Sequence, residues 1–428
     1  MIRAYLEDLQ KFGIKLGLNN IRTLCAAFGD PHEAFPSVHV AGTNGKGSVC
    51  AMLTGILARA GYRVGLYTSP HLVRIEERIR VDGRTIPGGD FDRLLKALKE
   101  RIEGLLAAGT LGSPPTYFEV VTALAFLYFR EKQVDLAVLE TGMGGRFDAT
   151  NIVTPLVSVI TSISRDHPEH LGGTISKIAF EKAGIIKPHV PVVCGARNRT
   201  AYRVIKDRAL AEEAPLVRVF DQDGSLIVRK GRGRRRRFEY RLGDEVFRFS
   251  PRLAGVHPGE NAAVAIAAVR ALGRVWKPIG PESVIRGIEE ARWEGRLEAV
   301  GRRPLVLLDG AHNEAGLKAL RAYIEDSVPR PVVVVFAMMK DKAVGRAARI
   351  LFPVARKVVV TSLPFERAAS PGEIQSRARE FRKKIVIEPD PGKALALARK
   401  LAGPRGTVVV TGSLYLVGEI KKLKPGRR

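Results

Sequence analysis

Cysteine is scarce in this sequence: three residues in 428, Cys25, Cys50 and Cys194, with no CxxC pair among them. So odd and scattered a set excludes a disulfide framework and a zinc finger, and it fits a reducing, cytoplasmic setting. Long apolar runs are missing as well. The longest, Val120 to Phe129, reaches about half of the roughly 20 residues that a membrane-spanning helix needs, so it reads as a buried helix and no membrane span is expected. The opening MIRAYLEDLQ lacks the charged-then-apolar order of a signal peptide and reads as an amphipathic helix. Acidic residues are also in short supply, 44 Asp plus Glu against 70 Lys plus Arg, for a formal charge of +26. Disorder is excluded by a hydrophobic content of 45%, and the length suits two or three domains with a large core.

A charge this basic raises the question of nucleic acid. Its distribution weakens that reading: residues from Gly301 onward carry net +15, and Arg229 to Arg241 alone carries +7. That segment, RKGRGRRRRFEYR, is flanked by the alternating runs SLIV, FEYRL and VFRFS, so it reads as a solvated hairpin tip. Stacking aromatics are not interleaved through the basic run, which favours the tip over a nucleic-acid arm.

From Pro36 onward, short β-branched runs alternate with helical patterns, the signature of βαβ units around a parallel sheet. Strands are expected at SVHVAG, RVGLYTS, DLAVLE, LVSVITS and VPVVCG, with hairpin patterning over Leu216 to Ser250 and helices over Asn261 to Leu272 and Glu282 to Glu290. After ARWEGRLE the pattern restarts as strand-helix pairs at PLVLLDG, PVVVVFA, KVVVTS, KIVIE and TVVVTGS. Two α/β domains are expected, residues 1–295 and a smaller Rossmann-like domain at 296–428.

The strongest local signal is Gly42-Thr43-Asn44-Gly45-Lys46-Gly47-Ser48, between a strand and a helix. Glycines let backbone N–H groups wrap phosphate oxygens, the helix N-terminus adds its positive end, and Lys46 adds a point charge, which suits ATP. The spacing departs from the ordinary P-loop, since Val40 stands where the first glycine would be and Gly47 separates Lys46 from Ser48. The alternative is a glycine-rich turn.

GTNGKGS in that form resembles the P-loop of the Mur ligase superfamily. Within it, LGLNNIRTL, YTSPHLVRIEERIRVDG, TYFE, LETGMGGRFDATNIV, TSISRDHPEHLG, EKAGIIKP, NAAVAIAA, RWEGRLE, DGAHN and TGSLY follow, in order, the pattern of the folylpolyglutamate synthase/dihydrofolate synthase family. The resemblance implies an α/β fold, a P-loop ATPase-like central domain binding ATP and folate followed by a glutamate ligase domain. It implies an ATP-dependent ligase that joins L-glutamate to a folate, or to dihydropteroate, through an acyl phosphate.

By the same resemblance, Asn44, Gly45, Lys46, Gly47, Ser48, Asn261, Arg296 and Asp309 would hold the nucleotide, and Ser69, Glu140 and His167 would hold Mg²⁺, with Asp166 orienting His167. Lys182 would be carbamoylated by CO₂, which needs a neutral amine, and an apolar wall of Ile178, Ile185 and Ile186 would favour that form. His312 would help hold the acyl phosphate or glutamate, and Ser413 would contact glutamate. Leu16, Gly17, Leu18, Thr116, Tyr117, Phe118, Glu119, Phe147, Asp148 and Ala149 would meet the pterin substrate.

Each position has a plainer alternative. Asn261 and Ser413 can be helix N-caps, Tyr117 and Phe118 can be core, His167 a loop histidine and Lys182 a solvent lysine. Other Mur-type amino-acid ligases, and a P-loop nucleic-acid-binding ATPase, are the competing functions. Against the former stands the start of the P-loop only about 40 residues in, which leaves no room for a separate UDP-binding domain. A monomer is expected.

Overall fold

Short β-branched runs, apolar on both faces, become the parallel strands of two sheets. The computed structural model describes residues 2–13, 17–166, 168–220, 224–230 and 236–423, so Leu16, His167 and the basic tip at 231–235 lie outside the described residues. In the first sheet, β1 (Ser37–Ala41), β2 (Val64–Tyr67), β3 (Ile79–Val81), β4 (Arg84–Thr85), β5 (Leu136–Glu140), β6 (Val157–Ile160), β7 (Val192–Cys194) and β8 (Leu216–Arg218) lie in the order β4-β3-β2-β5-β1-β6-β7-β8. Pairings from β2 to β8 are parallel, while β3 and β4 add an antiparallel edge that the sequence pattern did not suggest.

Because β1 lies between β5 and β6, the chain segments leaving their C-terminal ends emerge side by side, where open α/β sheets gather ligands. Helices Lys46–Arg59, His257–Val275 and Pro281–Glu290 bury one face of this sheet. Gly88–Ala107 and Tyr117–Glu131 cover part of the other, with Val120 to Phe129 buried throughout. Ile175–Ala183 and Arg199–Ala211 cover the rest. No helix among the described residues is long and apolar enough to cross a membrane.

The expected hairpin is a three-stranded antiparallel meander, β9 (Gly224–Lys230), β10 (Arg236–Leu242) and β11 (Glu245–Phe249). Phe238, Tyr240, Phe247 and Phe249 anchor it in the first core, whereas β8, inside the same predicted segment, joins the main sheet.

The second sheet comprises β12 (Glu298–Arg302), β13 (Leu305–Leu308), β14 (Val332–Phe336), β15 (Lys357–Val360), β16 (Ile385–Ile387) and β17 (Thr407–Thr411), in the order β12-β13-β17-β14-β15-β16. Its five expected strands are parallel, and β12 is an added antiparallel edge. Leu72, from the loop after β2, packs into this domain's core cluster. A Cβ on Gly418 would collide with the Leu72 carbonyl, so glycine there permits the close approach.

Helices Lys46–Arg59 and Pro281–Glu290 also touch backbone to backbone. A Cβ on Gly55 would lie 2.8 Å from the Gly287 carbonyl, and one on Gly287 would strike the Ile56 backbone. Gly287→Ala should therefore lower the unfolding free energy by about 1–3 kcal/mol, as overpacking does. Urea denaturation with an unchanged m-value would register it; an unchanged midpoint would refute the contact.

Candidate active site

The phosphate loop is tied to the loop after β6. Thr43 N donates to Ser162 O at 2.7 Å, Asn44 N donates to Ser162 Oγ at 3.1 Å, and Thr161 Oγ1 donates to Asn44 O at 2.8 Å. Gly45 caps the Lys46–Arg59 helix in a left-handed conformation, φ 87°. A side chain there would be strained, and its Cβ would collide with Asn261 Oδ1. A Cβ on Gly47 would lie 2.7 Å from the Trp293 ring. Lys46 Nζ donates to Gly42 O at 3.1 Å and so arches over the loop, and Ser48 is buried in the helix's first turn. Asn261 is not an N-cap. It lies inside the helix His257–Val275, and its amide reaches Gly45.

Ser69 and Glu140 meet at the C-terminal ends of β2 and β5, where Ser69 N donates to Glu140 Oε2 at 3.1 Å. Burial raises the Glu140 pKa, and Lys46 opposes the shift. A buried carboxylate is costly to ionise unless it is paired with a cation or binds a metal.

Lys182 lies at the end of the helix Ile175–Ala183, only 3% exposed, so the solvent-lysine alternative is excluded. Ile178, Ile185 and Ile186 are buried in the cluster around this helix. Burial, then repulsion from Lys46, pulls the amine down to about 7, with Asp166 and Asp148 opposing. A substantial neutral fraction is therefore present near neutral pH.

Asp166 bridges the domains. Its Oδ2 accepts from Asn313 Nδ2 at 3.1 Å and its Oδ1 from Lys342 Nζ at 2.8 Å, while His312 Nε2 stands 3.8 Å away. Asn313 also donates to Asn44 Oδ1 at 3.0 Å, so the phosphate loop and the DGAHN turn face one cleft. Asp309 accepts from Leu297 N and Ala311 N. Its pKa is raised by burial and opposed by Arg296. Arg296, Trp293, Leu297 and Tyr323 help line a cavity of about 630 Å³ at this junction. Ser413 is the N-cap of the helix Leu414–Lys422, accepting from Tyr415 N at 3.2 Å.

The expected pterin side divides into structural and accessible groups. Thr116 and Glu119 form a reciprocal capping box, Thr116 N donating to Glu119 Oε2 at 2.7 Å, so both start the helix Tyr117–Glu131. Tyr117 and Phe118 are half-buried, with the Arg78 guanidinium 5.5 Å from the Tyr117 ring centre. Gly17, with φ 144°, and Leu18 are half-buried, Leu18 against the same core as that helix. Asp148 and Ala149 are buried, whereas Phe147 between Arg146 and Asp148 is half-exposed.

This layout has close counterparts. Residues 92–269 match the Mur ligase middle domain, and residues 295–414 match the Mur ligase glutamate ligase domain. The chain is 37% identical over 424 residues to the dihydrofolate synthase/folylpolyglutamate synthase of Bacillus subtilis, covering 98% of this chain and 97% of that one. The chain belongs to the folylpolyglutamate synthase/dihydrofolate synthase family of Mur ligases. Among solved structures, the folylpolyglutamate synthase of Thermotoga maritima aligns with TM-score 0.85 at 36% identity, over 100% of this chain and 98% of that one. The Mycobacterium tuberculosis folylpolyglutamate synthase complexed with ADP and AMPPCP aligns with TM-score 0.91 at 31% identity, over 99% of both. This Mur ligase is therefore an enzyme of the ATP-dependent ligase class.

Several residues of the ligase cleft escaped the sequence reading. Ser162, Ser164 and Trp293 brace the phosphate loop, and Lys342 neutralises Asp166 from 176 residues away. No spacing rule links such distant positions, although the hydroxyl run TSIS after a strand was a usable signal.

The depressed Lys182 pKa has a sign that can be checked. Between about 7 and 10.5 the unfolded chain holds the proton that the folded one has released, so stability rises with pH across that window. Below it the penalty is complete, on the order of 5 kcal/mol. In CO₂-free buffer, Lys182→Met should raise Tm more at pH 6 than at pH 9. Equal gains at both pH values would show an ordinary lysine.

Proposed function

We propose that this chain adds L-glutamate to a folate carboxylate, using tetrahydrofolate, dihydropteroate or both, and acts as a monomer with its domains dividing near residues 295 and 296. The observation that carries the reading is the Asn44–Asn313 pair, which brings the phosphate loop of one domain against the DGAHN turn of the other. Nucleotide and acceptor chemistry then share one cleft. The Bacillus subtilis relative is named for both synthase activities, and an aligned Escherichia coli structure is described as a complex with DHPP and ADP.

In this reading the triphosphate lies on the loop amides of residues 44–48 and on Lys46, and the adenosine end occupies the cavity beside Trp293 and Arg296, with Asn261 and Asp309 completing the nucleotide set. A carboxylate oxygen of the folate attacks the γ-phosphorus, and the β–γ bridging oxygen leaves with ADP. The neutral amine of glutamate then attacks the acyl carbon, loses its proton, and expels phosphate as the amide forms. Loop amides and Lys46 spread the charge of the transferring group, and positioning two anions in one closed cleft supplies much of the rate. His312 and Ser413 stand on the second domain's side of that cleft for the acyl phosphate and glutamate.

Ser69 and Glu140 fit a Mg²⁺ ion, because a buried carboxylate beside a hydroxyl-bearing residue offers hard oxygen ligands. His167 would complete the set. Bound there, the ion would neutralise phosphate charge. Among the described residues no group of three or more His, Cys, Asp or Glu forms a metal cluster. A carbamate on Lys182 would add the missing anion: the neutral amine bonds to CO₂ and gives up a proton. The amine's pKa of about 7 supports that chemistry.

Lys46→Ala and Lys182→Ala should each abolish ADP formation in the presence of folate and glutamate while leaving the circular dichroism spectrum unchanged. Near-normal turnover by either variant would sink the mechanism. Parallel assays with dihydropteroate and with tetrahydrofolate decide which acceptor is used. ATPase activity stimulated by RNA or DNA instead would favour the nucleic-acid alternative.

A further inference from the structure

His39 stands in the middle of β1, fully buried, and the catalytic reading leaves it without a role. A polar ring inside a strand packed on both faces is costly unless its nitrogens are satisfied. Its Nε2 lies 2.7 Å from Thr150 Oγ1, and Thr150 Oγ1 donates to Asp148 Oδ1 at 2.6 Å. A hydroxyl has one proton to give. With that proton directed at Asp148, the oxygen's lone pairs face His39, so the imidazole must donate its Nε2–H. Nδ1 is then an acceptor, and it has no partner among the described residues. Leaving it so carries a desolvation penalty that a leucine filling the same space would avoid. Burial and the charge of Lys187 hold the ring neutral, pulling its pKa down to about 3.

The recipient of this chain closes a loop. Asp148 Oδ1 also accepts from Thr150 N at 3.1 Å, and Oδ2 accepts from Met143 N at 2.9 Å, so one carboxylate fastens both ends of the segment from Met143 to Thr150. Inside that loop, Phe147 is half-exposed, with the Arg146 guanidinium 4.2 Å from its ring centre. Arg146 N donates to Glu181 O at 2.8 Å, and Asn151 Nδ2 donates to both Arg146 O and Gly184 O at 3.0 Å, which ties the loop to the helix end carrying Lys182. Three residues beyond His39, β1 has already become the phosphate loop.

We infer that His39 is a positioning residue: through Thr150 and Asp148 it registers the Phe147 loop against the strand that delivers the phosphate loop, fixing the acceptor relative to ATP. Asp148 thereby shapes the acceptor site as a staple, and Phe147 offers the contact face. The inference rests on the reading of this loop as the pterin side of the cleft.

Two experiments test it. In the unliganded wild-type protein, ¹H–¹⁵N NMR should find His39 as the neutral Nε2–H tautomer with a slowly exchanging ring proton; an Nδ1–H tautomer or an imidazolium overturns the relay. Thr150→Val, which keeps the shape and removes the hydroxyl, should raise the KM for the pterin substrate about tenfold or more while the KM for ATP stays within about twofold. His39→Leu should behave alike, and His39→Gln, which presents an N–H at similar reach, should recover most of the loss. A lower Tm with an unchanged pterin KM in Thr150→Val would make His39 a core residue only. Asp148→Asn separates the two levels. If it raises the pterin KM and Thr150→Val does not, the relay alone fails; if Asp148→Asn has no effect, the assignment of the loop to the pterin fails with it.

Discussion

The cleft depends on Asp166, a carboxylate that follows the first sheet and is neutralised by the second domain. Both Asp166 and Lys342 are nearly buried, with side-chain exposures of 9% and 11%. Removing one member of such a pair strands the other's charge, at about 3–5 kcal/mol. The second domain is thus held by more than apolar contact at Leu72, because leaving would require Asp166, Lys342 and Asn313 all to be rehydrated. Asp166 also raises the proton affinity of Lys182. Domain docking and the protonation of that amine accordingly draw on one charge.

Much of the architecture was legible because it rests on local rules. β-branched runs bounded by glycine and polar residues gave the parallel strands of both sheets, and the strand-glycine-lysine-helix order gave the phosphate loop. What escaped were features decided by partners elsewhere in the chain. The edge strands β3, β4 and β12 are short or mixed in pattern, and only pairing makes them strands. Among site residues, Lys46 carries its own signal, but Lys182 looks like any helical lysine until burial moves its pKa. Thr116 and Glu119 show the converse: the resemblance put both on the substrate side, and the structure adds a reciprocal capping box between them at the helix start. Lys342 had no signal, since its significance is Asp166.

The basic excess finds little employment in the site. Many arginines answer carboxylates at the surface, as Arg93 does with Glu131 and Arg286 with Glu282. Exposed pairs of this type contribute about 0–1 kcal/mol each. An uncompensated positive field attracts anions and can raise their encounter rate. ATP, a folate carboxylate and glutamate are all anions.

Only two tryptophans occur in the chain. Trp276 packs on Tyr62, their ring centres 4.6 Å apart, whereas Trp293 lies flush against Gly47. The glycine of the phosphate loop makes room for an indole, so the loop carries its own chromophore. Trp293 also lines the cavity at the domain junction, so any change of occupancy or opening there would alter the surroundings of that ring, an optical gauge of the cleft that needs no label.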